Sequence, residues 1–134
     1  MSQLKTVGAW VLRLLSAVIL LQTLFFKFTA SPESVYIFTT VGMEPWGRIG
    51  SGIAELVAAI LILVPRYTWL GALLAMGIMS GAIFFHLTIL GIEVQGDSGL
   101  LFVYALIVFI SCAVLLFMNR DKLLGLLRFR SVTS

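Results

Sequence analysis

Four long apolar runs, about Val7–Phe28, Pro45–Val64, Trp69–Leu90 and Ser98–Met118, constrain this chain more than any other feature. Each has roughly 20 residues, enough for a helix to cross a hydrocarbon core ~30 Å thick. Backbone N–H and C=O groups find no water in lipid, so runs like these can satisfy themselves only as helices. With 60% apolar and 11% charged residues and a mean hydropathy of +1.11, residues 1–134 read as one all-α integral membrane domain, a four-helix bundle.

The connections carry their own signals. Ser31-Pro32-Glu33 reads as a cap, a first-turn proline and an acidic first turn. It precedes a short apolar helix, Val35–Val41, closed by Gly42. That helix is too short to span and is expected at the interface. Pro45 enters the second span in its first turn, and Pro65-Arg66-Tyr67-Thr68 reads as a tight helical hairpin. Asp97 is the expected cap of the fourth span. Trp46, Tyr67 and Trp69 fall at belt depth. Gly77-xxx-Gly81 and Gly50-xxx-Ala54-xxx-Ala58 are expected to let helices pack closely, with a dimer face at Gly77/Gly81 as the alternative. At the end of the first run, Phe28 stands where a signal-peptidase site needs a small residue, beside Lys27, so the run reads as an anchor.

Basic residues set the expected orientation. With both termini cytoplasmic, that side holds Lys5, Arg13, Arg66, Arg120, Lys122, Arg128 and Arg130, against Lys27 and Arg48 outside. Seven against two follows the positive-inside rule, with both termini expected in the cytoplasm. Arg13, two turns into its run, is expected to snorkel to the headgroups. The tail Arg120–Arg130 alternates basic residues with leucines and is expected along the anionic leaflet, with no nucleic-acid partner.

Against this background Glu55 and His86 stand out, because an ionisable group in lipid costs on the order of 3 kcal/mol or more and usually faces a bundle interior. Counting at about 1.5 Å per residue, Glu55 lies ~10 Å inside Arg48 and His86 ~7 Å inside Gly91. Tyr104 and Gln22 fall ~9 Å deep on the other two helices. One polar residue per helix therefore shares a layer in the outer half. Arg48, Gly52 and Glu55 share a helix face, as do Ala75, Met79, Ala82 and His86, and Tyr104 shares one with Ser111. The first helix is less clear. Its polar stripe is Arg13, Ser16, Thr23 and Lys27, and Gln22 points about 100° away, so either Gln22 or Lys27 could serve the site. Glu55 and His86 are candidates for proton exchange, and Lys27, Arg48, Gln22 and Tyr104 for ligand binding. A structural alternative stays open for each: Glu55 paired with Arg48 or Lys27, His86 bonded to Glu55 or a backbone carbonyl, Tyr104 as an interface aromatic.

Several chemistries are set aside. One intramembrane acid cannot build a di-iron carboxylate site, and one histidine cannot supply a bis-histidine haem. No metal ligand set is assigned. Cys112, the single cysteine, permits neither an intrachain disulfide nor a CxxC relay and reads as core packing.

Leu12-Arg13-Leu14 and Phe26-Lys27-Phe28 bound the first span, Gly47-Arg48-Ile49-Gly50 through Ala54-Glu55-Leu56 mark the second, and Phe84-Phe85-His86-Leu87 the third. In these elements the chain resembles the DoxX family of small four-span bacterial membrane proteins, over roughly positions 8–118. The resemblance implies a helical bundle and redox contexts: the membrane part of a thiosulfate:quinone oxidoreductase, amine dehydrogenase maturation, and complexes handling thiols and superoxide. Distant eukaryotic relatives act as chaperones or cargo receptors. Two readings follow. One is a redox-associated subunit that binds a quinone-like or small sulfur compound in the outer half, with electrons from a periplasmic or membrane oxidoreductase partner. The other is a non-catalytic scaffold or assembly factor. A proton-coupled transporter is disfavoured, because no inverted repeat or broken helix is evident.

Overall fold

The computed structural model describes residues 3–92 and 99–121. They form α1 (Gln3–Phe28), α2 (Pro32–Thr40), α3 (Trp46–Leu63), a 3₁₀ turn (Pro65–Tyr67), α4 (Thr68–Phe85), a π-helical turn (His86–Leu90) and α5 (Leu100–Met118). The described residues are all helix and connection, with four helical stretches long and apolar enough to cross a membrane, the third running Pro65–Leu90. The expected cap Asp97, the acidic Glu93 and the basic tail beyond Asp121 lie outside the described residues.

Each spanning helix packs on its neighbours in sequence, α1 on α3, α3 on α4 and α4 on α5, and α5 closes the ring against α1. Short connections force this up-and-down order. The packed centre is made of small and medium side chains, with Ala58, Ala72, Ala75, Val108, Cys112 and Leu115 fully buried. The outer surface carries Val11, Val18 and Phe25 of α1, Ile53 and Ile60 of α3, and Ile110 and Phe117 of α5, all more than half or nearly half exposed. Apolar surface on this scale suits lipid, not water.

α2 lies across one end of the bundle, against α1, α3 and the π-helical turn. Its start follows the sequence: the Ser31 hydroxyl accepts the Ser34 N–H at 3.3 Å, with Pro32 in the first turn. We call this the α2 end, and the end bearing Pro65–Tyr67 the hairpin end.

Two packing expectations are corrected. Arg13 does not snorkel. It is 5% exposed, and its Nε and Nη2 donate to the carbonyls of Ile62 and Leu63 at 2.8 and 2.7 Å, with the guanidinium 3.6 Å from the Trp10 ring centroid. The last carbonyls of a helix have no internal partner and carry its negative dipole end, so a buried arginine is held there by charge and geometry together. The close helix contact is also not at Gly50, Gly77 or Gly81, where an added Cβ would meet nothing within 4 Å. It is at Gly71, where a Cβ would lie 2.6 Å from Ile62 N and 2.8 Å from the carbonyl of Ala58, the one member of the expected stripes that takes part. The tight hairpin turn brings the backbones of α3 and α4 together there, and only hydrogen fits between them.

Candidate functional site

A cavity of about 330 Å³ occupies the α2 end of the bundle, walled by residues from all five helices and the π-helical turn. Most of the wall is apolar: Ile19, Leu20, Phe26, Phe38, Ile78 and Phe85. Into it come Thr23 and Lys27 from α1, Glu33 and Ser34 from α2, Ser51 and Glu55 from α3, His86 from the π-helical turn and Tyr104 from α5.

Glu55 is 1% exposed near the middle of α3. One of its oxygens accepts a very short hydrogen bond from Lys27 Nζ, and the other takes the Thr23 hydroxyl at 2.8 Å. That hydroxyl also lies 3.0 Å from the Leu20 carbonyl. It has a single proton, and the ionised carboxylate is the stronger acceptor. Thr23 and Lys27 are four residues apart on one face of α1, so the helix itself presents both donors to the carboxylate. The pair is neutral as a whole, which is how two charges are tolerated at this depth.

Arg48 stands seven residues before Glu55 on the same face but serves a different purpose. Its Nε donates to both Glu44 oxygens, at 2.9 and 3.0 Å, and its Nη1 to the Lys27 carbonyl at 2.5 Å. It therefore holds the C-terminal end of α1, as Arg13 holds the C-terminal end of α3. The two antiparallel helices are clamped reciprocally, each by an arginine from the other.

His86 is 5% exposed, and its Nδ1 lies 2.9 Å from the Gly91 carbonyl. A carbonyl can only accept, so Nδ1 carries the proton, and in the neutral ring Nε2 is the acceptor. Gly91 has φ +81°, in the left-handed region that glycine enters without steric cost, and this turn aims its carbonyl back at the imidazole. The ring stacks edge-on against Phe102, with centroids 5.6 Å apart. The wider π-helical geometry begins at His86, a feature often found where a helix builds a site. His86 Nε2 and the Tyr104 hydroxyl make no hydrogen bond with any described residue.

Of the six residues the sequence nominated, Glu55, His86, Lys27 and Tyr104 line the cavity. The other two do not. Gln22 is exposed on the outside of α1, because a helix turns about 100° per residue and the cavity takes the Thr23 and Lys27 side. Arg48 is committed to Glu44 and the end of α1. Glu55 and His86 share the cavity without bonding each other. Their partners are Lys27 with Thr23, and the Gly91 carbonyl. Sequence reasoning missed Ser51, though its spacing of four from Glu55 marked it, and the polar contribution of α2, which had no membrane-depth signal to read. Cys112 is fully buried, its Sγ 3.8 Å from the Ser16 hydroxyl, as core packing implies.

Comparison with known proteins adds one result: the DoxX family model matches residues 8–88, more than half of the chain, from α1 into the π-helical turn. The match includes Lys27, Glu55 and His86 and stops before α5 and Tyr104. No curated protein and no solved structure matches the chain. The chain belongs to the DoxX family.

Proposed function

We propose that this DoxX-family integral membrane protein is a redox-associated subunit that binds a quinone-like ring in the cavity at its α2 end. The carrying observation is that His86 Nε2 and the Tyr104 hydroxyl, both in the cavity wall, make no hydrogen bond among the described residues, while the surrounding wall is apolar and aromatic. Polar groups that open into a largely apolar cavity are the usual orienting contacts for a ligand bound there. Charge selects between the two ligand classes. Lys27 is already neutralised by Glu55, so the cavity offers no net positive charge to a sulfur oxyanion. An uncharged ring with carbonyl acceptors fits better.

Reduction of a quinone to its quinol takes two electrons and two protons. The electrons come from a partner oxidoreductase. The Tyr104 hydroxyl donates to one ring carbonyl, and His86, when protonated, donates from Nε2 while Nδ1–H stays on the Gly91 carbonyl. Both protons of the quinol are drawn from water on the α2 side: Glu55 and Glu33 are the wall carboxylates through which an imidazole there could be recharged, and Tyr104 keeps its own proton. In this reading the α2 end faces the periplasm across the bacterial inner membrane. The basic residues support that orientation, with Lys5, Arg13, Arg66 and Arg120 gathered toward the opposite end.

The clamp of α1 to α3 favours a second reading. Arg13, Arg48 and the Lys27–Glu55 pair all join the same two helices, as a rigid scaffold for a partner protein would require. Binding of a short benzoquinone to the purified protein in nanodiscs separates the two. The redox reading expects binding that His86→Ala and Glu55→Gln abolish in folded protein. Wild-type protein that binds no ring, or variants that bind it normally, would leave the scaffold in front.

A further inference from the structure

The cavity is lined on one side by Ser51 and Glu55 of α3 and by Gly77 and Gly81 of α4. At the hairpin end these helices are in backbone contact, since a Cβ on Gly71 would fall within 2.8 Å of the α3 backbone. At Gly77, six residues further along α4, no such contact is made. Gly77 and Gly81 have open space where a Cβ would be, and both line the cavity with Ile78 and Phe85. Across the gap the α3 wall is Ser51 and Glu55. Gly77 also belongs to an exposed stripe of α4, with Leu73, Ser80 and Phe84 at helical spacing, so the wall that lines the cavity is continuous with the outward face of the helix.

Depth decides what lies outside. Gly77 is nine residues from His86, about 13 Å along the helix axis, and it falls midway along the Pro65–Leu90 span. The seam therefore meets the acyl-chain region, where a solute too polar to leave water is not found. His86 sits at the other end of the same cavity, toward α2, while Glu55, neutralised by Lys27, borders the seam on the α3 side.

We infer that the cavity is entered sideways from the bilayer through the α3–α4 seam at Gly77 and Gly81, and that its ligand is a tailed amphiphile. The polar ring lies against His86 and Tyr104, and the hydrocarbon chain leaves between the helices. This rests on the ring-binding reading above and adds the class of molecule and its route. The glycines keep the seam open: with hydrogen in place of a side chain, a chain-width gap remains where leucine or phenylalanine would fill it.

The test compares a decyl-tailed benzoquinone with the same ring lacking the tail, binding to purified protein in nanodiscs. In Gly77→Leu/Gly81→Leu, affinity for the tailed probe is expected to fall on the order of tenfold, because several methylenes lose their apolar channel, while the tailless ring binds as in wild type. Gly77→Ala, which leaves the seam open, is expected to bind both probes normally. Equal loss of both probes, or loss of neither, overturns the seam while leaving ring binding intact. Failure of the wild type to bind either probe overturns the ring-binding reading and the seam with it. A tailed probe carrying a terminal diazirine gives a result that needs no variant: labelling of the segments around Ser51 and Gly77–Gly81 is expected, and labelling confined to other segments overturns the inference.

Discussion

Lys27 in the last turn of α1 and Glu55 in the middle of α3 form a buried ion pair across the helix interface, 17% and 1% exposed, with Thr23 bonded to the carboxylate beside them. Removing one partner leaves the other charge without compensation inside the bundle. Lys27→Met and Glu55→Ala are each expected to destabilise the protein by about 3–5 kcal/mol. The double variant is expected to cost much less than the sum, because no bare charge remains. Thermal unfolding of the four proteins in one detergent measures the cycle, and additive losses would show that the two residues do not act as a pair.

Arg13 gives a second stability prediction. Lysine keeps the charge but cannot span two successive carbonyls with a planar fork, so Arg13→Lys is expected to lose much of what Arg13→Leu loses. One charge-assisted bond to a carbonyl contributes about 1.5–3 kcal/mol. Unfolding midpoints of the two variants check this, and a lysine variant as stable as wild type would mean that charge alone holds the end of α3.

How far the chain could be read from its sequence follows from what each signal measures. Span lengths and the Ser31 cap were legible because hydropathy and capping are local. The partner of Glu55 was legible only as a choice among Arg48, Lys27 and His86, and the packing of α1 on α3 selects Lys27 with Thr23. Arg13 was not legible. Snorkelling and helix capping both suit an arginine two turns from a helix end, and only the antiparallel register of α1 on α3 decides between them. The glycines failed for a similar reason: Gly71 and Gly77 look alike in sequence, and the tight hairpin at Pro65–Tyr67 determines which one meets another backbone. Gln22 had the right depth and the wrong azimuth, a distinction that the polar stripe of α1 already carried.

The two glycines separate experimentally. Gly71→Ala puts a methyl within 2.8 Å of backbone atoms of α3, which cannot move aside without shifting the helix. A loss of about 1–3 kcal/mol is expected, typical of overpacking. Gly77→Ala meets nothing and replaces glycine inside a helix, so a gain of up to about 1 kcal/mol is expected. Unfolding midpoints that rank the two variants in the opposite order would refute the assignment of the α3–α4 contact.

Sidedness is testable with single cysteines in a Cys112→Ala background. Thr40 is exposed on α2 and Lys5 is exposed near the start of α1, at opposite ends of the bundle. In intact cells a membrane-impermeant maleimide is expected to label Thr40→Cys, and to label Lys5→Cys only after lysis. The reverse pattern would invert the proposed orientation and place the cavity toward the cytoplasm.

Tyr104 offers the sharpest separation of binding from stability. Its hydroxyl has no protein partner among the described residues, while its ring packs against the core beside Ala105. Tyr104→Phe keeps the ring and removes only the hydroxyl, so the unfolding midpoint is expected to stay where it is. A bound ring carbonyl would lose one neutral hydrogen bond, about 0.5–1.5 kcal/mol, which weakens binding by a few-fold to roughly tenfold. Titration of a benzoquinone into wild type and Tyr104→Phe, with melting curves on the same samples, provides both numbers. A fall in stability with unchanged affinity would make the hydroxyl a structural group and remove Tyr104 from the binding wall.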